Sequence, residues 1–326
     1  MNQPRALVLT AGLGTRLRPL TYVRAKGAVP VNGEPLVRRV AAWLAAGGLR
    51  DQIFNLHHHP ESIASVLGDG SDLGVRVRYS WEDPVLGSAG GPRHALPLLV
   101  DGGARRFLIV NGDTLTNLDL ERIIADHDAS GALVTMALVP NPAPLKYGGV
   151  TVSAEGYVTA FTLPGAESRT YHFIGVQVVD ASVFADLPDG VRTESVGSVY
   201  PKLMASDPRT VRAFLTDATF RDIGTPADCL RTSLELAEIE GSHLSGTDTK
   251  IAPDAVVERS ALWDDVAVGA GARLTECIVG DGAVIPEGAV FERCAIVPAD
   301  GHASHAADRI EGTLLIRPFQ SGASTR

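Results

Sequence analysis

A short apolar run, Ala6-Leu7-Val8-Leu9, empties directly into a glycine-rich turn, Ala11-Gly12-Leu13-Gly14-Thr15-Arg16-Leu17-Arg18-Pro19-Leu20-Thr21. No other junction in the chain constrains the fold as strongly. An aliphatic run with no polar face suits a strand buried on both sides in a parallel sheet. The small residues after it let the backbone approach a ligand closely, and successive N–H groups of such a turn cradle phosphate oxygens. Arg16, Arg18 and Lys26 add fixed positive charge suited to a polyphosphate. The turn is neither of the familiar phosphate loops. A P-loop carries Lys-Ser/Thr after its last glycine, whereas Gly14 is followed by Thr15-Arg16; a dinucleotide fingerprint needs a glycine where Leu17 stands.

The same pattern of strand then helix continues. Strand-like runs at 6–9, 52–56, 75–79, 107–110 and 133–138 alternate with helical patterns at 35–46, 60–67, 89–99 and 118–127. Such alternation predicts right-handed crossovers and a largely parallel sheet, with ligands beyond the carboxyl ends of the strands. Both the glycine turn and Asn111-Gly112-Asp113 fall at such ends. Shorter strands are expected at 149–152, 157–163 and 173–179, and Thr225-Pro226 reads as the N-cap and first residue of a helix ending near Gly241.

Beyond a polar, glycine-containing stretch at 241–250 the period changes. Val256, Leu262, Val268 and Leu274 recur every six residues; after a four-residue step, so do Ile278, Val284, Val290 and Ile296. Small residues often follow four places later, at Ser260, Ala272, Gly282, Gly288 and Cys294. A six-residue repeat with an aliphatic corner predicts a hexapeptide parallel β-helix in which stacked coils bury the aliphatic column. The expected division is an α/β domain at 1–240, a linker at 241–250, repeats at 251–300 and a tail at 301–326. Exposed coil ends need a cap or a partner, which points to a homo-oligomer.

Composition narrows the partners. The net charge is −9, with no basic stripe, so nucleic acid is not an expected partner. No run reaches the about twenty apolar residues of a membrane span. Cys229, Cys277 and Cys294 have no metal-ligand spacing and read as small buried hydrophobes in a reducing compartment. Arg5 precedes a short apolar strand rather than a secretory signal, so a cytoplasmic protein is expected.

The N-terminal residues carry a resemblance. Ala11-Gly12-Leu13-Gly14-Thr15-Arg16-Leu17-Arg18-Pro19-Leu20-Thr21, then Lys26, then Pro30-Val31-Asn32-Gly33-Glu34-Pro35, keep every spacing of the signature of the sugar-1-phosphate nucleotidyltransferases. Ala25 is a departure, because the family usually has proline before its lysine. The resemblance covers most of 5–240, and the repeat tail extends it to about 300. It implies a Rossmann-like nucleotidyltransferase domain with a mixed, largely parallel sheet, followed by a left-handed parallel β-helix. It also implies attack of a sugar-1-phosphate oxygen on the α-phosphorus of a nucleoside triphosphate, with release of pyrophosphate. Two anions must meet in that step, so divalent metal, here Mg2+, and fixed cations are required.

Residue by residue, Asp113 in Asn-Gly-Asp matches the family's metal-binding aspartate. Asp222 in Phe220-Arg221-Asp222-Ile223-Gly224-Thr225-Pro226 matches its second metal motif. Lys26 matches the lysine on the transferring phosphate. Arg16 is expected to hold the leaving pyrophosphate, with backbone help at Gly14 and Thr15. Ala11, Gly12 and the Leu86-Gly87-Ser88-Ala89-Gly90 segment resemble the nucleobase side, with Gly87 and Ser88 as its contacts. Tyr147, Gly148 and Gly175 align with the sugar side. There the family's Glu-Lys-Pro is replaced by Thr162-Leu163-Pro164, leaving Lys146 or Arg169 as candidate substitutes. The closest look is to mannose-1-phosphate guanylyltransferases with a repeat tail, hence GTP and mannose-1-phosphate. The alternatives are uridylyl or thymidylyl transfer to another sugar-1-phosphate, and a non-catalytic nucleotide-sugar sensor. His57-His58-His59 alternate faces on an extended chain and are not expected to share one metal. An acyl-transfer role for His302 or His305 in the tail is not expected either.

Overall fold

Residues Arg5–Leu9 form β1, in which Ala6, Leu7 and Val8 are fully buried, as an all-apolar run requires. The chain then runs through α1 (Leu36–Ala46), β2 (Asp51–Leu56), α2 (Pro60–Leu67), β3 (Arg76–Trp81), α3 (Gly87–Val100) and β4 (Arg106–Asn111). Strand β1 pairs in parallel with β2 on one side and β4 on the other, and β3 adds in parallel to β2. This is the crossover architecture that the alternating pattern dictates. In this computed structural model residues 4–165, 170–301 and 306–319 are described.

Past β4 the sheet becomes mixed. A short strand β5 (Thr114–Thr116) and helix α4 (Leu120–Ser130) lead to β6 (Val134–Pro140), the hairpin β7 (Gly149–Val152) and β8 (Val158–Thr162), the long β9 (Tyr171–Asp180), and β10 (Val211–Leu215). Strand β9 runs antiparallel to β4 along one edge and to β6 along the other, while Tyr171 near its start pairs with Val150 of β7. Its pairing with β6 shifts between Phe173 and Gln177, across Gly175 at φ +80°. A side chain at 175 would stand 2.7 Å from the Asn111 amide, so glycine lets β9 press on the end of β4. Strand β10 joins β6 in parallel, completing a nine-stranded sheet. Leu7, Ile53, Phe107, Ile109, Met136, Leu138 and Tyr200 are among its core residues.

The described chain falls into two compact units that cut across the order of the sequence. The sheet unit comprises the chain through Gly12 together with Val37–Arg221. The second comprises Leu13–Leu36 and the chain from Asp222 onward. In the second unit, helix α5 (Pro226–Glu240) starts with a capping box: the Thr225 amide and hydroxyl donate to Asp228, and the Asp228 amide donates to Thr225 Oγ1. Asn32 and Gly33, at φ 47° and 77°, turn a hairpin between Pro30–Val31 and Glu34–Pro35.

The repeats form a parallel β-helix. Strands Lys250–Ile251, Ala267–Val268 and Val284–Ile285 stack in parallel as one wall. Strands Val256–Glu258, Arg273–Thr275 and Val290–Glu292 make the second, and Ala261–Leu262, Ile278–Val279 and Cys294–Pro298 the third. Equivalent positions lie 17 residues apart, so one side of each turn is a residue shorter than a strict hexad. That corrects the expected column. After Leu274 the inward positions are Val279, Ile285, Phe291 and Ile296, whereas Val284 and Val290 point outward at 57% and 67% exposure. Leu244 and Gly246, in the stretch expected to be a linker, already exchange backbone hydrogen bonds with Leu262. In the expected tail, Leu314–Pro318 pairs antiparallel with Cys294–Pro298, and Leu314 and Ile316 join the coil core. His302 and His305 lie outside the described residues.

Candidate active site

In the sheet unit, the polar residues gather beyond the carboxyl ends of β1, β2, β3 and β4. The Asn55 carbonyl oxygen of the side chain accepts from the Thr10 and Ala11 amides at 2.6 and 3.3 Å. Asn55 Nδ2 donates to Glu82 Oε1 at 2.7 Å, and the Leu86 amide donates to Glu82 Oε2 at 2.8 Å. Glu82 is 1% exposed, so this carboxylate ties the ends of three elements together inside the protein. A side chain at Gly91 would strike Glu82 Oε1 at 2.5 Å, which explains the glycine there. The motif reading missed Asn55 and Glu82. Their available signal was a polar residue closing each apolar strand.

The Leu86-Gly87-Ser88-Ala89-Gly90 segment opens α3, and a second loop braces it. The Thr193 carbonyl accepts from the Ala89 and Gly90 amides, and the Thr193 amide donates to the Leu86 carbonyl. Ser88 Oγ donates to Glu194 at 2.8 Å and accepts from the Ser195 amide at 2.9 Å. Gly87 sits at φ +79°, with Thr193 and Glu194 oxygens 2.8 Å from where a Cβ would stand. Ser88 is therefore spent on the bracing loop and does not cap the helix.

On the expected sugar side, Tyr147, His172 and Phe220 form a run of rings. Tyr147 and His172 have centroids 4.4 Å apart, and His172 and Phe220 stack at 5.0 Å. Burial lowers the His172 pKa, against an opposing hydrogen bond with the Gly148 backbone, so the ring is neutral near pH 7. A side chain at Gly148 would lie 2.8 Å from the Thr162 carbonyl. Lys146 places its ammonium 4.9 Å from the Tyr147 ring. Leu163, where the family carries its lysine, is 84% exposed. Arg169 lies outside the described residues.

Asp113 follows β4 in a turn fixed by Gly112. The Gly112 amide donates to the Leu9 carbonyl, and a Cβ there would meet Thr10 at 2.6 Å. The turn runs into β5, whose Thr116 hydroxyl donates to the Thr219 carbonyl at 2.7 Å. The Thr219 amide in turn donates to Asn117 Oδ1 at 2.8 Å.

In the second unit, Gly14 at φ +59° turns the glycine loop. Thr21 Oγ1 donates to the Gly14 carbonyl, and a side chain at 14 would meet Thr21 and Lys26. Thr15–Leu17 make a short 3-10 turn with Leu17 buried, leaving Thr15 and Arg16 exposed. Arg16 and Asp222 converge on Gly224: a Cβ there would lie 3.3 Å from Arg16 Nη1 and 3.4 Å from Asp222 Oδ2. Among the described residues no group of three or more His, Cys, Asp or Glu side chains is placed so that it could hold a metal ion by itself. His57 Nδ1 instead bonds the Glu82 carbonyl, and His59 bonds Glu61.

Known proteins resemble this chain over most of its length. The nucleotidyl transferase family model matches residues 5–239, and a GlmU-like C-terminal hexapeptide model matches 231–292. The mannose-1-phosphate guanylyltransferase of Mycobacterium tuberculosis is 29% identical over 304 residues, covering 90% of this chain and 84% of that protein. The UTP–glucose-1-phosphate uridylyltransferase of Synechocystis is 26% identical over 90% of this chain and 84% of its own length. The N-acetylmuramate α-1-phosphate uridylyltransferase of Neisseria meningitidis is 33% identical over 61% of this chain and 83% of its own. The crystal structure of HddC from Yersinia pseudotuberculosis complexed with GMP-PN shares the fold at a TM-score of 0.62, with 22% identity, over 72% of this chain and all of that one. With a family model spanning 5–239 and relatives named as sugar-1-phosphate nucleotidyltransferases, the chain belongs to the nucleotidyl transferase family, among its sugar-1-phosphate nucleotidyltransferases.

Proposed function

We propose that this enzyme transfers the guanylyl group of GTP to mannose-1-phosphate, releasing pyrophosphate. The support for that pair is the match to a guanylyltransferase along 90% of the chain, hexapeptide coils included. The observation that carries the chemistry is the convergence of Arg16 and Asp222 on Gly224, a cation and a carboxylate held against bare backbone. Asp113 and Asp222 are hard oxygen donors, and two carboxylates suit Mg2+, which takes its remaining ligands from phosphate and water. When bound, the metal neutralises charge on the α-phosphate.

The protein's own groups do the rest. Lys26 binds the transferring phosphate and offsets the charge of the attacking sugar phosphate. Arg16, with the Gly14 and Thr15 amides, holds the β- and γ-phosphates that leave. Ala11, Gly12, Gly87 and Ser88 line the base, and Tyr147, Gly148 and Gly175 the sugar. With the sugar phosphate oriented by these groups, a phosphate oxygen attacks the α-phosphorus and the bond to pyrophosphate breaks; no side chain need accept a proton.

A second reading, uridylyl transfer to another sugar-1-phosphate, has its own support. Leu163 stands where the resemblance places a phosphate-gripping lysine, and two of the relatives are named uridylyltransferases. The test is pyrophosphate release with Mg2+ across a grid of nucleoside triphosphates and sugar-1-phosphates, with Asp113→Asn as the blank. GTP with mannose-1-phosphate should be fastest. A faster UTP pair transfers the assignment to the second reading, and silence across the grid removes both.

A further inference from the structure

The second unit raises a question about the segment that carries Arg16 and Lys26. Leu13–Leu36 shares its compact unit with the coils, and its contacts with them are specific. Arg24, two residues before Lys26, is only 15% exposed. Its Nε and Nη2 donate to the two oxygens of Asp281 at 2.5 and 2.7 Å, and Nη2 also donates to Asp264 at 2.5 Å. The guanidinium lies 5.6 Å from the Trp263 ring centre.

Asp264 and Asp281 occupy the same position on successive coils, 17 residues apart, with the Asp264 amide donating to Asp281 Oδ1. Coils stack at about the spacing of paired strands, roughly 4.8 Å, so two carboxylates stacked in this way repel. A bidentate guanidinium removes that repulsion and fixes its own geometry, which an ammonium cannot do as well. Beside it, Val23 packs at ordinary contact distance, 3.4 Å from where a side chain at Gly280 would stand, while the tight neighbour at that glycine is Val297 of the next coil at 2.9 Å. The other end of the segment is held as well. Arg317 Nη1 donates to the Arg18 carbonyl at 2.8 Å, with Arg317 itself fixed by Asp308, whose side chain is buried.

We infer that Arg24 is a positioning residue: the Asp264–Asp281 ladder grips it and so sets the turn that presents Lys26. The hexapeptide coils are then part of the phosphate-handling machinery and not solely an assembly module. The consequence for turnover rests on the proposed role of Lys26; the clamp itself does not.

The experiment uses the full chain as wild type, Arg24→Gln, Arg24→Lys and Asp281→Asn, with Arg293→Gln as control for an exposed coil ion pair to Glu276. Hydrogen exchange at residues 18–28 reads the clamp without turnover. Steady-state kinetics with the best substrate pair read its effect on Lys26. Arg24→Gln and Asp281→Asn should raise exchange across 18–28 at least tenfold and lower kcat about tenfold, with the sugar-phosphate KM within twofold. Arg24→Lys should recover part of kcat, and Arg24→Gln/Asp281→Asn should lose no more than Arg24→Gln alone. Arg293→Gln should match wild type in both readouts. Unchanged exchange in Arg24→Gln overturns the clamp. Raised exchange with unchanged kcat overturns the link to Lys26. An inactive wild type removes the proposed function and the Lys26 link with it, while exchange still decides whether the coils hold the segment.

Discussion

Glu82 shows how a single residue outside the signature organises it. Its two oxygens accept from Asn55 and from the Leu86 amide, and Asn55 passes the constraint to Thr10 and Ala11. Glu82→Ala strands a buried amide and a buried N–H, each costing about 1–3 kcal/mol when unpaired. Urea unfolding should show a loss of about 2–6 kcal/mol for the two groups together, accompanied by a raised KM for the nucleoside triphosphate. Glu82→Gln keeps the shape and one acceptor, and should fall between. A wild-type midpoint for Glu82→Ala would show that the network contributes nothing. Asp113→Asn and Asp222→Asn act differently, since the amide keeps the volume and removes the charge that would hold Mg2+. Each should lower kcat by about a thousandfold or more while leaving the thermal midpoint within a few degrees. Near-normal turnover in either variant removes that aspartate from the metal assignment.

At the scale of the element, the coils are the informative case. Neighbouring residues there have opposite environments: Val290 is 67% exposed while Phe291 is 4% exposed in the coil core. Phe291→Ala should cost about 3–5 kcal/mol in cavity and lost burial, whereas Val290→Ser should stay within about 0.5 kcal/mol. Equal losses on chemical denaturation would refute the inward register. The hexad count read from the sequence located this element and its walls. It missed the facing of Val284 and Val290 because a 17-residue turn slips by one residue, and a one-residue slip in a strand reverses every side chain.

At the scale of the whole molecule, two histidines shifted by burial and one arginine-held carboxylate work in the same direction as pH falls. His127 is buried and bonded to Thr135; burial lowers its pKa, with Asp128 opposing, and burial lowers that of His172 as well. Burial would raise the Asp51 carboxyl, but Arg76, Arg5 and Arg78 hold it below the ordinary carboxylate value. A group depressed in the folded state stabilises above its unfolded pKa and loses that contribution as pH falls through its folded pKa. The histidine contribution is therefore complete above about pH 6.5 and declines below it, and the carboxylate contribution declines below about pH 4. The thermal midpoint should fall between pH 7.5 and 5, with a smaller drop in His127→Gln. A midpoint independent of pH over that interval would contradict the assignment.

Local chemistry was legible in the sequence because local chemistry writes it. The strand at Ala6–Leu9, the glycine turn, the Thr225 cap and the repeats each depend on residues a few positions apart, where periodicity and turn preference speak directly. The residue types of the candidate site were legible for the same reason, through fixed spacings in the motifs around Gly14, Asp113 and Asp222. Tertiary structure alone decided the rest. Arg24 meets Asp264 and Asp281 across 240 and 257 positions, and Arg317 meets the Arg18 carbonyl across 299. Nothing within reach of Arg24 along the chain marks it as anything but a solvated arginine. Only the stacking of two coils brings two like charges together and makes a buried guanidinium the favourable way to hold them.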